Sequence, residues 1–388
     1  MPETAAPQKP PEQSDNTPFQ RLLARWKKFR SDRAARGDWL KKIIRRMRWF
    51  LKWATISYVI VLPVFLLLVE WRGERSLIFS VLLFVPPQAW LLPLVVLTPL
   101  CLLFRPRLCW LHLLAVCVVL FGFMRFHWSS WPEAKGHTLT VISANIGQRK
   151  IHSLDSFLAS EEPDVVAYQD AANYRKFLRR ENPNTSVVGE GQFIIVSKLP
   201  VKNSGLVPGL VYRGRPVAAR FELEFDGRPF VVYNVHMPTP RPEFNKLRGR
   251  GFLAEMIGGK GIYSSEVRAS YRRYWDERFR LADGLIETLR KEQHPFILVG
   301  DFNIPDHGHL FGRFKSEFTD VFAAKGCGYG LTFPGLTRNP KTWFGPWLRI
   351  DYIFANKNLR PLYCRVEPRQ NAQHRAIAAM FEMEPAKK

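Results

Sequence analysis

Cysteine is scarce in this sequence, which has five cysteines in 388 residues. Three of them lie in apolar stretches, so only Cys327 and Cys364 belong to the polar part of the chain. These two are compatible with one disulfide or with two free thiols. No internal repeat is visible, and no apolar segment with a small-residue cleavage site follows the N-terminus directly. We therefore expect no cleaved signal peptide.

Acidic residues are also few, since 34 Asp and Glu face 57 Lys and Arg and leave a net charge of +23. Residues 1–18 have no apolar periodicity and are rich in Pro, Gln, Glu and Thr, so we expect a disordered tail. In residues 19–52 only Asp32 and Asp38 oppose the basic residues, and apolar residues recur at helical spacing. This pattern predicts a basic amphipathic juxtamembrane helix on anionic lipid. A solvated charge run and a nucleic-acid-binding segment are the alternatives.

Charged residues are missing from three long apolar runs, which are Trp53–Val69, Leu77–Phe104 and Leu108–Met124. The second run is long enough for one tilted or kinked membrane span but not for two. None of the runs has a polar face to show water. We therefore expect three transmembrane helices within residues 53–126 rather than buried core helices.

The loops between these runs predict the orientation of the chain. The first loop, Glu70–Arg75, is balanced in charge, whereas the second contains Arg105 and Arg107. Basic segments stay on the cytoplasmic side of a membrane. We expect an integral protein of a bacterial inner or plasma membrane, with a cytoplasmic N-terminus and a periplasmic or extracellular C-terminal domain.

The C-terminal part contains a short apolar segment that leads into polar residues. Phe296–Val299 is too short for a helix and predicts a buried strand. Gly300 permits a turn after it, and Pro305 prevents the strand from continuing. At strand spacing, Asp301 and Asn303 would emerge on one face at the carboxyl edge of a sheet, where open α/β sheets bind ligands. An Asp- and Asn-rich turn is the alternative.

Five more polar residues lie in or just after similar apolar strands, namely Asn145, Asp170, His236, Asp351 and His374. In this order, and with the Gly-Asp-x-Asn stretch, they resemble the sequence blocks of the endonuclease/exonuclease/phosphatase superfamily, the fold of DNase I. The resemblance covers residues 137–384. It implies an α/β fold, a four-layer sandwich of two packed, mainly antiparallel sheets flanked by helices, here preceded by three transmembrane helices. It also implies divalent-metal-dependent hydrolysis of phosphodiester or phosphomonoester bonds.

The resemblance implies a metal site and a histidine–carboxylate pair. Asn145 and Asp170 match the metal-binding positions, and Mg²⁺ (or Mn²⁺) is the implied cofactor because a hard cation prefers oxygen ligands. A turn residue and a helix N-cap are the alternatives for these two. His374 matches the general base, and Asp351 matches the carboxylate that would orient its ring.

Three further residues complete the implied site. His236 matches the histidine that contacts phosphate and can protonate the leaving group, with a structural histidine as the alternative. Asp301 would orient or deprotonate water, or serve the leaving group. Asn303 would hydrogen-bond a phosphoryl oxygen.

Two positions depart from the superfamily pattern. Asp170 is one methylene shorter than the usual Glu, and Gln373 stands where an Asp normally precedes the histidine. Both changes predict weaker metal binding or a single-metal arrangement. The acid, base and phosphate contacts are retained, so we expect an active enzyme.

The substrate stays open at this point, because the fold serves many phosphoesters. A basic insertion at residues 239–275, ahead of a helix expected at Arg278–Lys291, favours nucleic acid. The membrane spans favour lipid phosphates or pyrophosphates, and the apolar residues 252–262 either contact a bilayer or form a small core. A non-catalytic membrane-tethered binding module is the third alternative. The expected partners are a phosphoester substrate (nucleic acid or phospholipid head group) and the lipid bilayer, and no protein partner is evident.

Overall fold

The computed structural model of the chain describes residues 18–31, 33–147, 151–248, 264–335, 345–356, 358–368 and 372–383. Residues 1–17 of the expected disordered tail lie outside this range. The chain divides into two compact units, one within Met1–Ile60 and Leu92–Ala115 and the other within Val61–Leu91 and Val116–Lys388.

The N-terminal region is helical. The helices are α1 (Pro18–Ser31), α2 (Arg33–Arg72), α3 (Leu77–Leu82), α4 (Leu92–Phe104) and α5 (Cys109–Cys117), and a π-helix (Val118–Phe123) continues α5. Within the described residues, three helical stretches are long and apolar enough to cross a membrane, namely Gly37–Arg75, Pro87–Phe104 and Pro106–Phe123. At 1.5 Å per residue α2 is about 60 Å long, twice the thickness of a hydrocarbon core.

The second apolar run is not the one kinked helix that the sequence predicted. Its first part forms α3, a 3₁₀ turn follows at Pro87–Leu91, and only then does α4 begin. Leu77, Val81 and Phe84 pack against the core of the C-terminal domain. These side chains are apolar because protein covers them, which explains why the run is longer than one span requires.

The C-terminal domain contains two six-stranded sheets and a small hairpin. The first sheet has the order β13-β14-β1-β2-β4-β3, the second has the order β11-β12-β10-β9-β8-β5, and β6 pairs with β7. The strands are β1 (Thr138–Asn145), β2 (Val165–Gln169), β3 (Ser186–Glu190), β4 (Phe193–Ser197), β5 (Val201–Leu206), β6 (Val211–Tyr212), β7 (Arg215–Pro216), β8 (Ala218–Phe225), β9 (Arg228–His236), β10 (Phe296–Asp301), β11 (Thr319–Asp320), β12 (Asp351–Ala355), β13 (Leu359–Val366) and β14 (Ile377–Met383). Only the pairs β1–β2 and β9–β10 are parallel among these strands.

Three apolar clusters hold the layers together. The central cluster combines side chains of both sheets, among them Val141 and Phe193 from the first sheet and Val232 and Ile353 from the second. The outer face of the first sheet is covered by α6 (Asp155–Glu161) and α7 (Arg175–Glu181). The outer face of the second sheet is covered mainly by α9 (Ser265–Arg290) and α10 (Gly308–Glu317). The predicted four-layer sandwich of mainly antiparallel sheets is confirmed.

The basic insertion is more helical than the sequence analysis predicted. It contains α8 (Arg241–Arg248), and α9 begins at Ser265, well before the expected start at Arg278. The hydroxyl of Ser264 caps α9 by accepting the N–H of Val267. Residues 249–263, which include the apolar residues 252–262, lie outside the described chain.

Two smaller features complete the domain. The short helix α11 (Val321–Lys325) follows β11. Cys327 is exposed and Cys364 is buried, and both are free thiols. Of the two alternatives for these cysteines, the structure therefore has the second.

Candidate active site

The polar residues singled out by the sequence meet where the strands end. In the first sheet, parallel pairing aligns Asn145 at the end of β1 with Gln169 at the end of β2. In the second sheet, Asp301 is aligned with His236 on one side and with Asp351 on the other. The sheets pack face to face, so these two sets of residues lie opposite each other.

Asp301 is the centre of this group. Its Oδ2 accepts a hydrogen bond of 3.0 Å from the Asn145 amide and lies 3.7 Å from the Nε2 atoms of both His236 and His374. Its Oδ1 accepts the backbone N–H of Asn303 at 2.9 Å. Burial raises the pKa of Asp301, and the charge of Asp351 raises it further, although His374 and His236 oppose this. A buried carboxylate between two imidazoles can bind and orient a polar group placed between the two rings.

His374 is paired with Asp351, as the resemblance implied. Its Nδ1 lies 3.1 and 3.2 Å from the two carboxylate oxygens. This contact places the proton on Nδ1, so Nε2 is the ring nitrogen that carries the lone pair. Asp351 is held in turn by Thr332, whose hydroxyl accepts the Asp351 N–H at 3.3 Å, and the ring of Phe333 packs 4.9 Å from the imidazole. One detail of the prediction is wrong, because His374 precedes strand β14 instead of following a strand.

His236 is oriented by a residue that the sequence analysis did not identify. Its Nδ1 donates to the side-chain oxygen of Gln192 at 2.8 Å, and the Gln192 amide donates to the carbonyl of Pro216 at 2.8 Å. Gln192 lies in the turn between β3 and β4, 44 residues from His236 in sequence. No local pattern identifies such a partner.

Asn303 reaches the site differently from the prediction. Strand β10 ends at Asp301, and Asn303 has a φ of 50°, in the left-handed region. Strand alternation therefore does not apply to Asn303. Its side-chain amide donates to the carbonyl of Met237, and the buried guanidinium of Arg278 donates to the carbonyl of Phe302. These bonds fix the turn after Asp301 without the alternation that the sequence argument assumed.

Gly300 has a different role from the predicted turn. It lies inside β10 with a φ of 139°, and a Cβ there would be 1.9 Å from the carbonyl oxygen of Val235. The glycine therefore allows β10 to approach β9 closely, immediately before Asp301 and His236.

A pair of buried amides bridges the two sheets beneath the site. The Gln169 amide donates to the Asn234 side-chain oxygen at 2.8 Å, and the Asn234 amide donates to the carbonyl of Tyr168 at 3.0 Å. Gln169 is paired with Asn145, and Asn234 lies two residues before His236. The bridge therefore fixes the two halves of the site relative to each other.

The residues predicted to hold a metal ion lie together. The side-chain oxygen of Asn145 accepts the N–H of Gly147 at 3.1 Å. The Asp170 carboxylate lies over the same glycine, because a Cβ on Gly147 would be 1.9 Å from Asp170 Oδ2. Asp170 itself is exposed and has a φ of 54°, which is unusual for a residue other than glycine. Two oxygen donors, the Asn145 amide oxygen and the Asp170 carboxylate, therefore both lie against Gly147, and oxygen donors of these kinds fit a hard cation such as Mg²⁺.

A second group of possible ligands lies next to the first. Asp301, Asp351 and His374 each offer an atom within 4.8 Å of the others, and all three are buried. The hydrogen bond between His374 and Asp351, with Asp301 3.7 Å from the other ring nitrogen of His374, also suits the acid–base roles implied by the sequence. The division of roles between metal ligands and acid–base groups stays a prediction.

The chain matches the family model described as the Endonuclease/Exonuclease/phosphatase family over residues 142–372, which is more than half of its length. The chain therefore belongs to the Endonuclease/Exonuclease/phosphatase family. Members of this family are generally phosphoester hydrolases that use divalent metals. No curated protein matches the sequence.

The solved structures to which this chain is similar are distant in sequence. Humanized D. rerio TDP2 is 17% identical to this chain. The alignment covers 63% of this chain and 99% of the TDP2 chain, with a TM-score of 0.46. D. rerio TDP2 complexed with single-strand DNA product is 15% identical, with coverages of 64% and 100% and a TM-score of 0.46. The endonuclease/exonuclease/phosphatase from Bacteroides vulgatus is 16% identical, with coverages of 64% and 100% and a TM-score of 0.46.

Proposed function

We propose that this protein is a membrane-anchored, divalent-metal-dependent phosphoesterase. The observation that carries the proposal is the position of Asp301, which lies 3.7 Å from two histidines and accepts a hydrogen bond from Asn145. Hydrolysis of a phosphoester needs a base for water, an acid for the leaving oxygen and donors for the phosphoryl oxygens. These functions can be supplied by the side chains gathered here.

In the proposed assignment, His374 accepts the proton of the attacking water at Nε2. Asp351 holds the ring and stabilises the imidazolium that forms. His236, oriented by Gln192, donates to the phosphate or to the leaving oxygen. Asp301 positions the water between the two rings.

The metal site of this proposal consists of Asn145 and Asp170. A bound Mg²⁺ would neutralise charge on the phosphoryl oxygens. Asp170 would be its one directly bound carboxylate, since Gln373 replaces the acidic residue expected beside His374. Water would fill the other positions, as is usual for Mg²⁺.

Membrane anchoring by three spans is the second part of the proposal. It is supported by three helices of sufficient length and apolarity and by the basic residues that precede the first of them. With three crossings and a cytoplasmic N-terminus, the C-terminal domain lies outside the cytoplasm. A reporter fused after Lys388 that is active only outside the cytoplasm should give a signal, and a signal from a cytoplasm-only reporter would reverse the orientation.

The catalytic part is tested by replacing the proposed base. Full-length His374→Ala should hydrolyse bis(p-nitrophenyl) phosphate at least about 100-fold more slowly than wild type, because a positioned base contributes about that much. His137→Ala is the matched control, since this exposed histidine pairs with Asp226. Both variants should melt at the wild-type temperature, and chelation of divalent ions should abolish wild-type turnover. A His374→Ala rate above about a tenth of wild type would contradict the assignment.

A further inference from the structure

A cavity of about 360 Å³ lies beside the candidate active site, with His236 and its partner Gln192 in its wall. The β6–β7 hairpin also lines this cavity and contributes Tyr212, Arg213 and Arg215. This volume is near the lower limit of small-molecule sites. It suits one head group next to the scissile phosphate but does not accommodate a nucleic-acid duplex.

The hairpin presents its cations in a strained conformation. Arg213 and Gly214 form the two-residue tip, with φ values of 49° and 78°. Two positive φ values identify the tight type I′ turn, whose first position favours Asn, Asp or Gly. An arginine there is disfavoured by about 1–2 kcal/mol. Strain of this kind points to a functional role for the side chain.

The cavity keeps a positive charge. Glu243, in its floor, is 2% exposed and is neutralised by Lys246 at 2.9 Å, with the Ser270 hydroxyl donating at 2.9 Å. Arg213 lies 3.9 Å from the same carboxylate. Arg215 is exposed, and its guanidinium makes no hydrogen bond or ion pair with the residues that the structure describes. One guanidinium is therefore available to a ligand, and a second is only weakly held.

The same cavity lies close to the chain segment that enters a candidate span. Phe244, the residue after Glu243, packs its ring 4.9 Å from the ring of Phe84. Phe84 precedes the candidate span Pro87–Phe104 by three residues, and its carbonyl accepts the indole N–H of Trp347. Phe84 and the cavity belong to the same compact unit, so one layer of side chains separates the cavity from the chain segment that leads into this candidate span. A substrate presented at a membrane surface suits a cavity beside such a segment.

We propose that this hairpin cavity is the binding site for the head group of a membrane lipid that carries a second phosphate beside the scissile one. The proposal rests on the phosphoesterase function proposed above and names its substrate class. Arg215 and Arg213 bind the second phosphate, and His236 faces the scissile one. Planar guanidinium groups suit this task because they form paired hydrogen bonds to phosphate oxygens.

The test uses the full-length protein with phosphatidylcholine vesicles that contain either phosphatidylinositol phosphate or phosphatidylinositol. The scissile bond in both lipids is the phosphodiester that links inositol to diacylglycerol. The ratio of kcat/KM for its hydrolysis in the two lipids therefore isolates the contribution of the second phosphate. Arg215→Gln should lower this ratio about tenfold, and the double variant with Arg213→Gln should lower it further. Arg179 is an exposed residue of helix α7, and Arg179→Gln is the charge-matched control. It should leave the ratio at the wild-type value.

Binding is measured separately so that the result does not depend on turnover. The water-soluble head group glycerophosphoinositol phosphate is titrated into wild type and variants by calorimetry. Weaker binding in the arginine variants supports the proposal, and failure of wild type to bind overturns it. An unchanged ratio of kcat/KM for the two lipids in the double variant also overturns the proposal. So does the result that the arginine variants lose activity only toward single-stranded DNA.

The two proposals fail in different ways. If wild type does not hydrolyse even bis(p-nitrophenyl) phosphate, the phosphoesterase function is wrong. If wild type hydrolyses that soluble diester but shows no preference for the lipid with a second phosphate, the cavity assignment alone is wrong.

Discussion

Replacing Gly147 by alanine should weaken Mg²⁺ binding and leave the fold intact. The new Cβ would lie 1.9 Å from Asp170 Oδ2, whereas an ordinary contact begins at 3.4 Å, so the carboxylate oxygen must move away by about 1.5 Å. Metal–ligand distances tolerate only about 0.2 Å. Asp170 would therefore be displaced from any ion that it shares with Asn145.

The same change should leave the fold intact. Gly147 is exposed and its φ lies outside the left-handed region, so alanine can adopt its backbone conformation. Rotation of the exposed Asp170 side chain moves its Oδ2 and Cγ away, and the third close atom, Asp170 Cβ at 2.9 Å, needs a shift of only a few tenths of an ångström. A compatible glycine-to-alanine change stabilises a protein by about 0.4–1 kcal/mol through the unfolded chain. We expect a melting temperature equal to or slightly above that of wild type.

The assay is the initial rate of diester hydrolysis as a function of Mg²⁺ concentration at saturating substrate. Displacing one ligand should raise the half-saturating Mg²⁺ concentration by about 10–100-fold, equivalent to about 1.4–2.8 kcal/mol. Gly312→Ala, where a Cβ meets no atom within 4 Å, is the matched control. An unchanged Mg²⁺ curve in Gly147→Ala would refute the assignment of Asp170 as a metal ligand.

Three further predictions concern Glu292, Gly300 and Gln373. Burial opposes ionisation of Glu292, but Arg220, the His294 N–H and the Tyr233 hydroxyl outweigh it and lower its pKa to about 2. Glu292→Gln should therefore lower the free energy of unfolding by about 2 kcal/mol at neutral pH, measured by urea unfolding. The wild type should lose this stabilisation as the pH falls from 4.5 to about 2 and Glu292 is protonated, whereas the variant lacks it throughout. Gly300→Ala should fail to yield folded protein by circular dichroism, because its Cβ would overlap the Val235 carbonyl. Gln373→Asp should lower the half-saturating Mg²⁺ concentration and also the melting temperature of the metal-free protein; unchanged Mg²⁺ dependence with a raised KM would instead make Gln373 a substrate contact.

The strands that carry the site were predictable because their signals are local. Four consecutive apolar residues before Gly300 identify a buried strand, and the polar residues at its end follow directly from the sequence. The same applies to β1, β2 and β9, whose apolar runs lead into Asn145, Asp170 and His236. In each case one stretch of chain contains both the element and the functional residue.

The features that the sequence did not predict depend on contacts between distant segments. Gln192 supports His236 only because the turn between β3 and β4 lies against the end of β9. Helix α9 buries Tyr271, Tyr274 and Trp275 at helical spacing, so its early start was detectable, but the buried Arg278 interrupts the apolar pattern. An apolar run also looks the same whether lipid or protein covers it, which is why Leu77–Leu82 was assigned to a span.

A neutral amide at position 373, instead of a carboxylate, is consistent with the negative charges already present in the site. Asp301 and Asp351 are 1% and 2% exposed and share one histidine, and Gln373 is itself only 6% exposed. Burying a third carboxylate there costs free energy unless a cation compensates it. A neutral side chain keeps the metal-free domain stable but leaves Asp170 as the one carboxylate proposed to bind the ion directly. Weaker metal affinity and a more stable metal-free fold are therefore the two expected consequences of a neutral residue at position 373, and Gln373→Asp should move metal affinity and metal-free stability in opposite directions.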